Sequence, residues 1–179
     1  QMTDEELNQF IKKQINYNMI IPALIEANER KDKKIADLLR RIEFLEAKAL
    51  KKSKVVAIFG HISPDPDCMG SMQGLANMLR QKGIQADVYV DSDKDYSEYA
   101  MFDFDANYNI DLDVNKYDTL ISVDVATKRL LGKYGDTFES FENTVSIDHH
   151  GSRDLTAKAI YCEEHSASCS EIIFKLSKH

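Results

Sequence analysis

The chain has 179 residues, of which 43% are apolar, and it carries a net charge of −7. This apolar content suffices for a folded core and excludes wholesale disorder. The acidic balance argues against a broad basic face for long duplex nucleic acid. No apolar run approaches the roughly 18 residues that span a bilayer, so no membrane partner is expected, and three cysteines without a CxxC pair favour free thiols. We therefore expect a cytoplasmic protein with one domain, with or without an appendage.

The N-terminal segment, residues 1–52, differs in composition from the rest of the chain. It contains no glycine and is rich in Lys, Glu, Leu, Ile and Ala, most of which favour helix. Its apolar residues at spacings of three and four are Ile35, Leu38, Ile42, Leu45 and Ala49. This pattern predicts a helical seam. The seam either packs on its own domain or joins two copies of the chain in a homodimer, and the sequence favours neither interpretation.

Residues 53–179 alternate between strand and helix patterns. Strands are predicted at 55–60, 86–90, 119–125, 144–147 and 157–161. Helices are predicted at 69–79, with Gly83 as C-cap, at 126–131, and at 168–176, with Ser166 or Ser168 as N-cap. The acidic, Asn-rich stretch 103–118 is predicted to be a solvated loop with short helices. Apolar strands that alternate with helices indicate a parallel sheet between two layers of helices, which is a three-layer α/β domain.

The first group of candidate ligands follows the first predicted strand. His61, Asp65 and Asp67 lie in a turn that two prolines stiffen. Ligands of open α/β sheets bind at the carboxyl ends of the strands, so these side chains are expected to converge. Gly70 and Gly74 share one face of the following helix, where another backbone or a phosphate would be able to approach closely.

Two further groups follow the strands at 119–125 and 144–147. Asp124 ends the first of these strands, and Asp148, His149 and His150 end the second. A carboxylate is costly to bury without a cation or hydrogen bonds, although capping of the helix at 126–131 would explain Asp124 alone. Imidazole and carboxylate ligands together suit zinc, iron or manganese, and an oxygen-rich set favours manganese or magnesium. The three groups together predict a metal centre.

The spacing of these residues resembles the first three signature motifs of the DHH phosphoesterase family. The matching elements are His61-x-x-x-Asp65-x-Asp67, the strand end at Asp124, and Asp148-His149-His150. The family includes the RecJ exonuclease, oligoribonucleases and pAp phosphatases, cyclic-dinucleotide phosphodiesterases and, more distantly, family II pyrophosphatases. The resemblance covers residues 55–176, and the runs at 148–152 and 166–171 resemble the oligoribonuclease branch most.

The resemblance implies a hydrolase that uses two manganese ions, with magnesium as an alternative. One ion would bind His61, Asp65 and Asp124. The other would bind Asp67, Asp124 and His149, so that Asp124 bridges the two ions.

The resemblance also implies roles around the metal ligands. Asp124, His149 and His150 would be the catalytic residues, and His150 would contact the substrate phosphate. Asp148 would not bind a metal itself but would orient the imidazoles of His149 and His150. Ser152 and Arg153 are candidate phosphate contacts, with a surface charge as the alternative interpretation of Arg153. Cys68 is interpreted as a packing residue, not a nucleophile.

The implied reaction is hydrolysis of phosphodiester or phosphomonoester bonds in short oligonucleotides or pAp-like nucleotides, with a cyclic dinucleotide as the alternative substrate. Relative to the family, the sequence lacks a fourth motif with a further aspartate and a glycine-rich substrate-binding domain. Residues 53–179 are therefore expected to be a C-terminally truncated catalytic domain with a weaker second metal site, and the sequence leaves open whether this chain hydrolyses a substrate alone. A non-catalytic module for metal binding or assembly is the second functional hypothesis.

Overall fold

The computed structural model describes residues 29–30, 53–94, 96 and 104–178. Residues 29–30 are helical. The rest of the helical segment predicted over residues 1–52, including the seam for a homodimer, lies outside the described residues. Within the described part of the chain, no helix has both the length and the apolar character needed to cross a membrane.

Six parallel strands form the sheet of the described region. They are β1 (Val55–Phe59), β2 (Gln85–Val90), β3 (Asn107–Tyr108), β4 (Thr119–Val123), β5 (Thr144–Asp148) and β6 (Ala159–Cys162). Their order across the sheet is β3-β2-β1-β4-β5-β6, and every neighbouring pair is parallel. The five predicted strands and the parallel α/β class are confirmed. Strand β3 was not predicted, because two residues within an acidic stretch carry no apolar pattern.

Among the described residues from 53 onward, three α-helices and two 3-10 helices accompany the sheet. The α-helices are α1 (Pro66–Gln81), α2 (Gly135–Ser140) and α3 (Cys169–Leu176), and the 3-10 helices are Val114–Lys116 and Lys128–Tyr134. The helix predicted at 126–131 begins two residues later and is a 3-10 helix, not an α-helix. Within the 3-10 helix that replaces it, Gly132 has a left-handed φ of 57°, which interrupts regular helical geometry. A β-carbon at Gly132 would collide with the carboxylate of Asp91, so the close approach there also requires glycine.

Helix α1 begins and ends at residues that suit its termini. Asp65 is the N-cap and accepts a hydrogen bond from the amide of Cys68, while Pro66 occupies the first helical position. At the other end, Gly83 has a φ of 81°, and the amide of Ile84 donates to the carbonyl of Leu79. This is a Schellman ending in which Lys82 is the C-cap and Gly83, predicted as the C-cap, follows it in the left-handed conformation.

Helices cover both faces of the sheet. On one face, α1 and α3 pack against strand residues that include Ile58, Ile121 and Ile147. On the other face, α2 and the neighbouring 3-10 helix pack against Phe59 and Tyr89. The strand side chains are buried on both sides, which is why their sequences read as continuous apolar runs.

Helices α1 and α3 approach each other at the glycine pair of α1. A β-carbon at Gly70 would lie 3.4 Å from the hydroxyl of Ser170, and one at Gly74 would lie 3.4 Å from the side chain of Ile173. The group that approaches the predicted glycine face is therefore helix α3.

The strand order reverses between β1 and β4. The chain runs outward from β1 to β2 and β3, and then returns to the other side of β1 to form β4, β5 and β6. Open α/β sheets bind ligands at such a switch point, at the carboxyl ends of the strands. His61 follows β1 and Asp124 follows β4, so both lie at this position.

Candidate metal centre

A cavity of about 410 Å³ lies where β1, β4 and β5 end. Its lining consists of His61, Asp65, Asp67, Asp124, Leu130, His149, His150, Ala167 and Ser168. The structure thus brings together all five residues proposed as metal ligands and His150. Of the other proposed site residues, Ser152 and Arg153 are not among the cavity lining, and Asp148 is buried behind it.

Asp124 is a strained and buried carboxylate at the centre of this group. Its φ is 60°, in the left-handed region that costs a non-glycine residue about 1–2 kcal/mol, and it is only 4% exposed. Burial, followed by repulsion from Asp67 and Asp65, raises the pKa of Asp124 to about 6. Its Oδ1 has no hydrogen-bond partner among the described residues. A cation would satisfy this orphaned oxygen and offset the unfavourable charge.

Ligand atoms around Asp124 fall into two sets in the described part of the chain. One set is His61, Cys68 and Asp124, and the other is Asp124, His149 and His150, each with its atoms within 4.8 Å of one another. Asp124 belongs to both sets. The residues present therefore fit a divalent cation, and a shared carboxylate suits a pair of ions.

Cys68 is the least suitable member of these sets. It is fully buried, and burial raises the pKa of its thiol well above the ordinary value. Metals bind the thiolate, and burial disfavours the formation of a thiolate here. A β-carbon at Gly60 would overlap the Cys68 sulfur, so the side chain fills a tight space beneath β1. This agrees with the interpretation of Cys68 as a packing residue.

Asp65 and His61 form the side of the cavity nearest β1. The Oδ1 of Asp65 accepts the α1 capping bond at 2.9 Å and lies 4.0 Å from Nε2 of His61. Burial lowers the pKa of His61, although Asp65 opposes this effect. A neutral imidazole is the form that binds a metal.

Asp67 is held by the first turn of α3. Its Oδ2 accepts from the amide of Cys169 at 2.8 Å, and its Oδ1 accepts from the amide of Ser170 at 2.9 Å. Burial would raise the pKa of Asp67, but these bonds and the Ser170 hydroxyl outweigh it and lower the pKa. The carboxylate therefore remains charged, and its Oδ2 lies 3.9 Å from Nε2 of His149.

The two histidines after β5 have different partners. Nδ1 of His149 lies 3.3 Å from the carbonyl oxygen of Ser166, and its Nε2 lies 3.5 Å from Oδ1 of Asp124. A carbonyl only accepts, so Nδ1 carries the proton and the lone pair of Nε2 is directed at the carboxylates. Nδ1 of His150 instead lies 2.8 Å from Oδ1 of Asp148, which raises the pKa of His150. The side chain of Asp148 thus orients one imidazole, whereas it was expected to orient both.

Sequence reasoning missed the main-chain groups that support Asp67 and His149. These are the carbonyl of Ser166 and the amides of Cys169 and Ser170. The available signal was the run at 166–171, which resembles the DHH family, together with Ser168 as an N-cap.

Arg153 and Ser152 lie outside the cavity. Nη2 of Arg153 donates to the hydroxyl of Ser146 on β5 at 2.9 Å. Nε and Nη1 of the same guanidinium are buried and have no hydrogen-bond partner within the described ranges. Arg153 is therefore neither a free surface charge nor part of the cavity wall. Ser152 is exposed.

Known proteins resemble this chain over its α/β region. An uncharacterized protein of Methanocaldococcus jannaschii is 29% identical over 66% of this chain and 25% of its own length. The bifunctional oligoribonuclease and PAP phosphatase NrnA of Bacillus subtilis is 23% identical, over 68% of this chain and 37% of that protein. The protein of the same name from Mycoplasma genitalium is 26% identical, over 72% of this chain and 41% of that protein. The chain thus spans about a quarter to two-fifths of these relatives.

A solved structure shows the same fold. It is the crystal structure of an exopolyphosphatase-related protein from Bacteroides fragilis, with a TM-score of 0.61 and 20% identity. The similarity covers 78% of this chain and 43% of that one.

The family comparison covers more than half of the chain. The N-terminal domain of the DHH family matches residues 55–179. This range contains the sheet, the cavity and each histidine and aspartate at the strand ends. On this match, the chain belongs to the DHH family.

Proposed function

We propose that the chain is the catalytic domain of a phosphoesterase that hydrolyses phosphate esters of short oligonucleotides or pAp-like nucleotides with two manganese ions. The observation that carries the proposal is the buried Asp124, which belongs to two sets of ligand residues and whose Oδ1 has no hydrogen-bond partner among the described residues. Its nearest basic groups among the described residues are Nε2 of His149 at 3.5 Å and Nδ1 of His150 at 3.8 Å, neither of which hydrogen-bonds it. A carboxylate that bridges two cations would account for this arrangement.

The candidate ligands would provide each of the two proposed ions with three side chains. His61, Asp65 and Asp124 would hold one ion, and Asp67, Asp124 and His149 would hold the other. Mixed imidazole and carboxylate ligands with an excess of oxygen suit manganese, and magnesium is the nearest alternative. When bound, such ions supply an activated water and charge neutralisation at the phosphate.

The chain itself supplies orientation and a polar cavity wall. The contact of Nδ1 of His149 with Ser166 directs its Nε2 toward the carboxylates. The contact of Nδ1 of His150 with Asp148 leaves Nε2 as the ring nitrogen for the substrate phosphate. The side chain of His150 is 48% exposed, so it is accessible from the cavity.

The substrate class is supported by the cavity and by the relatives. A volume of about 410 Å³ is in the range of small-molecule sites. Two of the similar curated proteins are named oligoribonuclease and PAP phosphatase. A small nucleotide or the end of a short oligonucleotide fits both facts better than a long duplex.

Hydrolysis by the 179-residue chain tests the proposal. We expect release of product from a dinucleotide and from pAp in Mn²⁺, none in EDTA, and none from the Asp124→Asn variant in Mn²⁺. A chain that neither binds Mn²⁺ nor hydrolyses either compound would contradict the proposal. Metal binding without hydrolysis would favour the non-catalytic module, and cleavage of only a cyclic dinucleotide would favour that alternative substrate.

His150→Ala tests whether His150 contacts the phosphate while His149 binds the metal. If His150 contacts phosphate and not metal, the Mn²⁺ content by elemental analysis stays at the wild-type level. Turnover should fall by about 10²–10⁴-fold, as for the loss of one positioned acid–base or charge-stabilising group. Loss of metal in this variant would show that His150 is a ligand.

A further inference from the structure

We propose that residues 163–170, here called the positioning loop, hold His149 and Asp67 in ligand geometry, and that Lys175 of α3 is the positioning residue that locks this loop. The inference rests on the proposed metal site. Lys175 is not among the residues that line the cavity, so it would act only through the loop.

The middle of the loop orients His149. The Ser166 carbonyl lies 3.3 Å from Nδ1, on the far side of the ring from Asp124 and Asp67. Rotation of this carbonyl would release the ring and change the direction of Nε2. Such outer contacts fix both the tautomer and the orientation of a histidine ligand.

The end of the loop orients Asp67. The hydroxyl of Ser168 caps α3 by accepting from the amide of Glu171 at 3.1 Å, which fixes the first turn of the helix. The amides of Cys169 and Ser170 then bind the two carboxylate oxygens. The hydroxyl of Ser170 adds a bond of 3.2 Å to the Asp67 carbonyl. Asp67 therefore follows any displacement of this turn.

One ammonium group joins these two parts of the loop. Nζ of Lys175 donates to Oε2 of Glu163 at 2.8 Å and to the hydroxyl of Ser166 at 3.0 Å. It also lies 3.0 Å from Oε1 of Glu171, whose Oε2 accepts from the amide of Ala167 at 2.9 Å. The single cation thus links Glu163 at the start of the loop to Ser166, and through Glu171 of α3 it also links Ala167.

The first part of this network is well shielded from solvent. The side chain of Glu163 is 10% exposed, and Ser166 is 7% exposed. Glu163 also accepts from the hydroxyl of Tyr161 on β6. Removal of the Lys175 charge would leave two carboxylates without their shared cation, and the loop would relax away from them.

The experiment compares Mn²⁺ affinity by calorimetry in the full chain, beside thermal melting in EDTA. Lys175→Met keeps the length of the side chain and removes the cation. We expect its Mn²⁺ affinity to fall by about 10–100-fold, as for other outer partners of metal ligands. Lys175→Arg keeps the charge and should recover most of the affinity. Lys178→Met removes a lysine from the same end of the chain, where its Nζ lies over the ring of Phe174, and should bind as wild type.

The outcomes separate this inference from the proposed function. A wild-type chain that does not bind Mn²⁺ would contradict the metal site and the inference with it. A wild-type chain that binds, beside a folded Lys175→Met chain of equal affinity, would overturn the inference alone, even if that variant melts earlier. If Lys175→Met does not fold, Ser166→Ala decides, because it removes only the hydroxyl bonds. Several-fold weaker binding in Ser166→Ala supports the positioning role, and unchanged binding overturns it.

Discussion

The two sides of the cavity hold their candidate ligands in different ways. On the α3 side, main-chain groups fix Asp67 and His149, and the side chain of Asp67 is 24% exposed. On the β1 side, the side chain of Asp65 is 61% exposed. Its Oδ1 accepts the bond that caps α1 and lies 4.0 Å from Nε2 of His61. Ligands held by main chain are preorganised, whereas exposed ones must be ordered by the ion itself. We therefore expect the α3 side to contribute more to metal affinity.

The largest effect is expected where both sides meet, at Asp124. Asp124→Asn should abolish hydrolysis and strongly reduce Mn²⁺ content, because it removes the charge shared by both sets of ligands. Without metal, the same variant should be more stable than wild type by roughly 1–3 kcal/mol at pH 7, since a raised pKa means that folding disfavours the charged form. Asparagine also tolerates the left-handed φ of this position.

The pH dependence gives the control for Asp124. Its destabilising effect should be absent below about pH 4 and fully present above pH 6, so the advantage of Asp124→Asn in EDTA should vanish in acid. Urea unfolding at several pH values measures this difference. Equal stability of the two chains at pH 7 would show that the carboxylate is not strained by burial.

Asp67→Asn and Asp65→Asn compare the two sides directly. Asparagine offers one acceptor oxygen, so at position 67 it cannot serve both α3 amides, and about 1–3 kcal/mol of unfolding free energy should be lost. At position 65 asparagine still caps α1, and stability should hardly change. Calorimetry should show the larger loss of Mn²⁺ affinity in Asp67→Asn. A larger loss in Asp65→Asn would reverse our ranking of the two sides.

Glu163 tests whether the support of the α3 side depends on charge. Burial alone would raise the pKa of Glu163, but bonds from Lys175, Tyr161 and Ser166 lower it to about 2. A depressed pKa stabilises the fold above the unfolded value near 4.5, and this contribution disappears as the pH falls toward 2. Glu163→Gln should therefore be less stable than wild type by about 1–2 kcal/mol at pH 7, after allowance for solvent screening. The difference should shrink below pH 4 in urea titrations; a difference independent of pH would point to packing instead of charge.

The smallest effect is expected at Ser152. Its side chain is exposed and lies outside the cavity lining, although it follows the histidine pair closely in sequence. Ser152→Ala should leave Mn²⁺ affinity and hydrolysis of pAp within about twofold of wild type. A larger fall in hydrolysis would support the original interpretation of Ser152 as a phosphate contact.

The sequence predicted those parts of the molecule that depend on residue type. Apolar runs located the strands, and parallel pairing then brought His61, Asp124 and His149 to one edge of the sheet. The short strand β3 escaped prediction, and so did the 3-10 type and the bounds of the helix at Lys128–Tyr134, which was predicted at 126–131. The first has no apolar pattern, and the geometry of the second depends on a glycine packed against Asp91.

The support of the site could not be predicted in the same way. The Ser166 carbonyl and the amides of Cys169 and Ser170 are main-chain groups. Every residue except proline carries both a carbonyl acceptor and an amide donor, so residue type does not mark them. Only the folded arrangement decides which carbonyl meets His149 and which amides meet Asp67. The sequence offered Ser166 or Ser168 as the cap of α3, and the structure has Ser168, which shows where such amides begin.

The bond between Asp67 and Ser170 joins residues that are 103 positions apart. During synthesis, the turn that bears His61 and Asp67 leaves the ribosome roughly 5–20 s before α3 does, at the usual rates of translation. Throughout that interval the acidic turn has neither its amide partners nor the carbonyl that orients His149. At the proposed metal site, a nascent chain would therefore hold a metal ion poorly, and tight binding would coincide with docking of α3. Metal uptake would then report that α3 has docked.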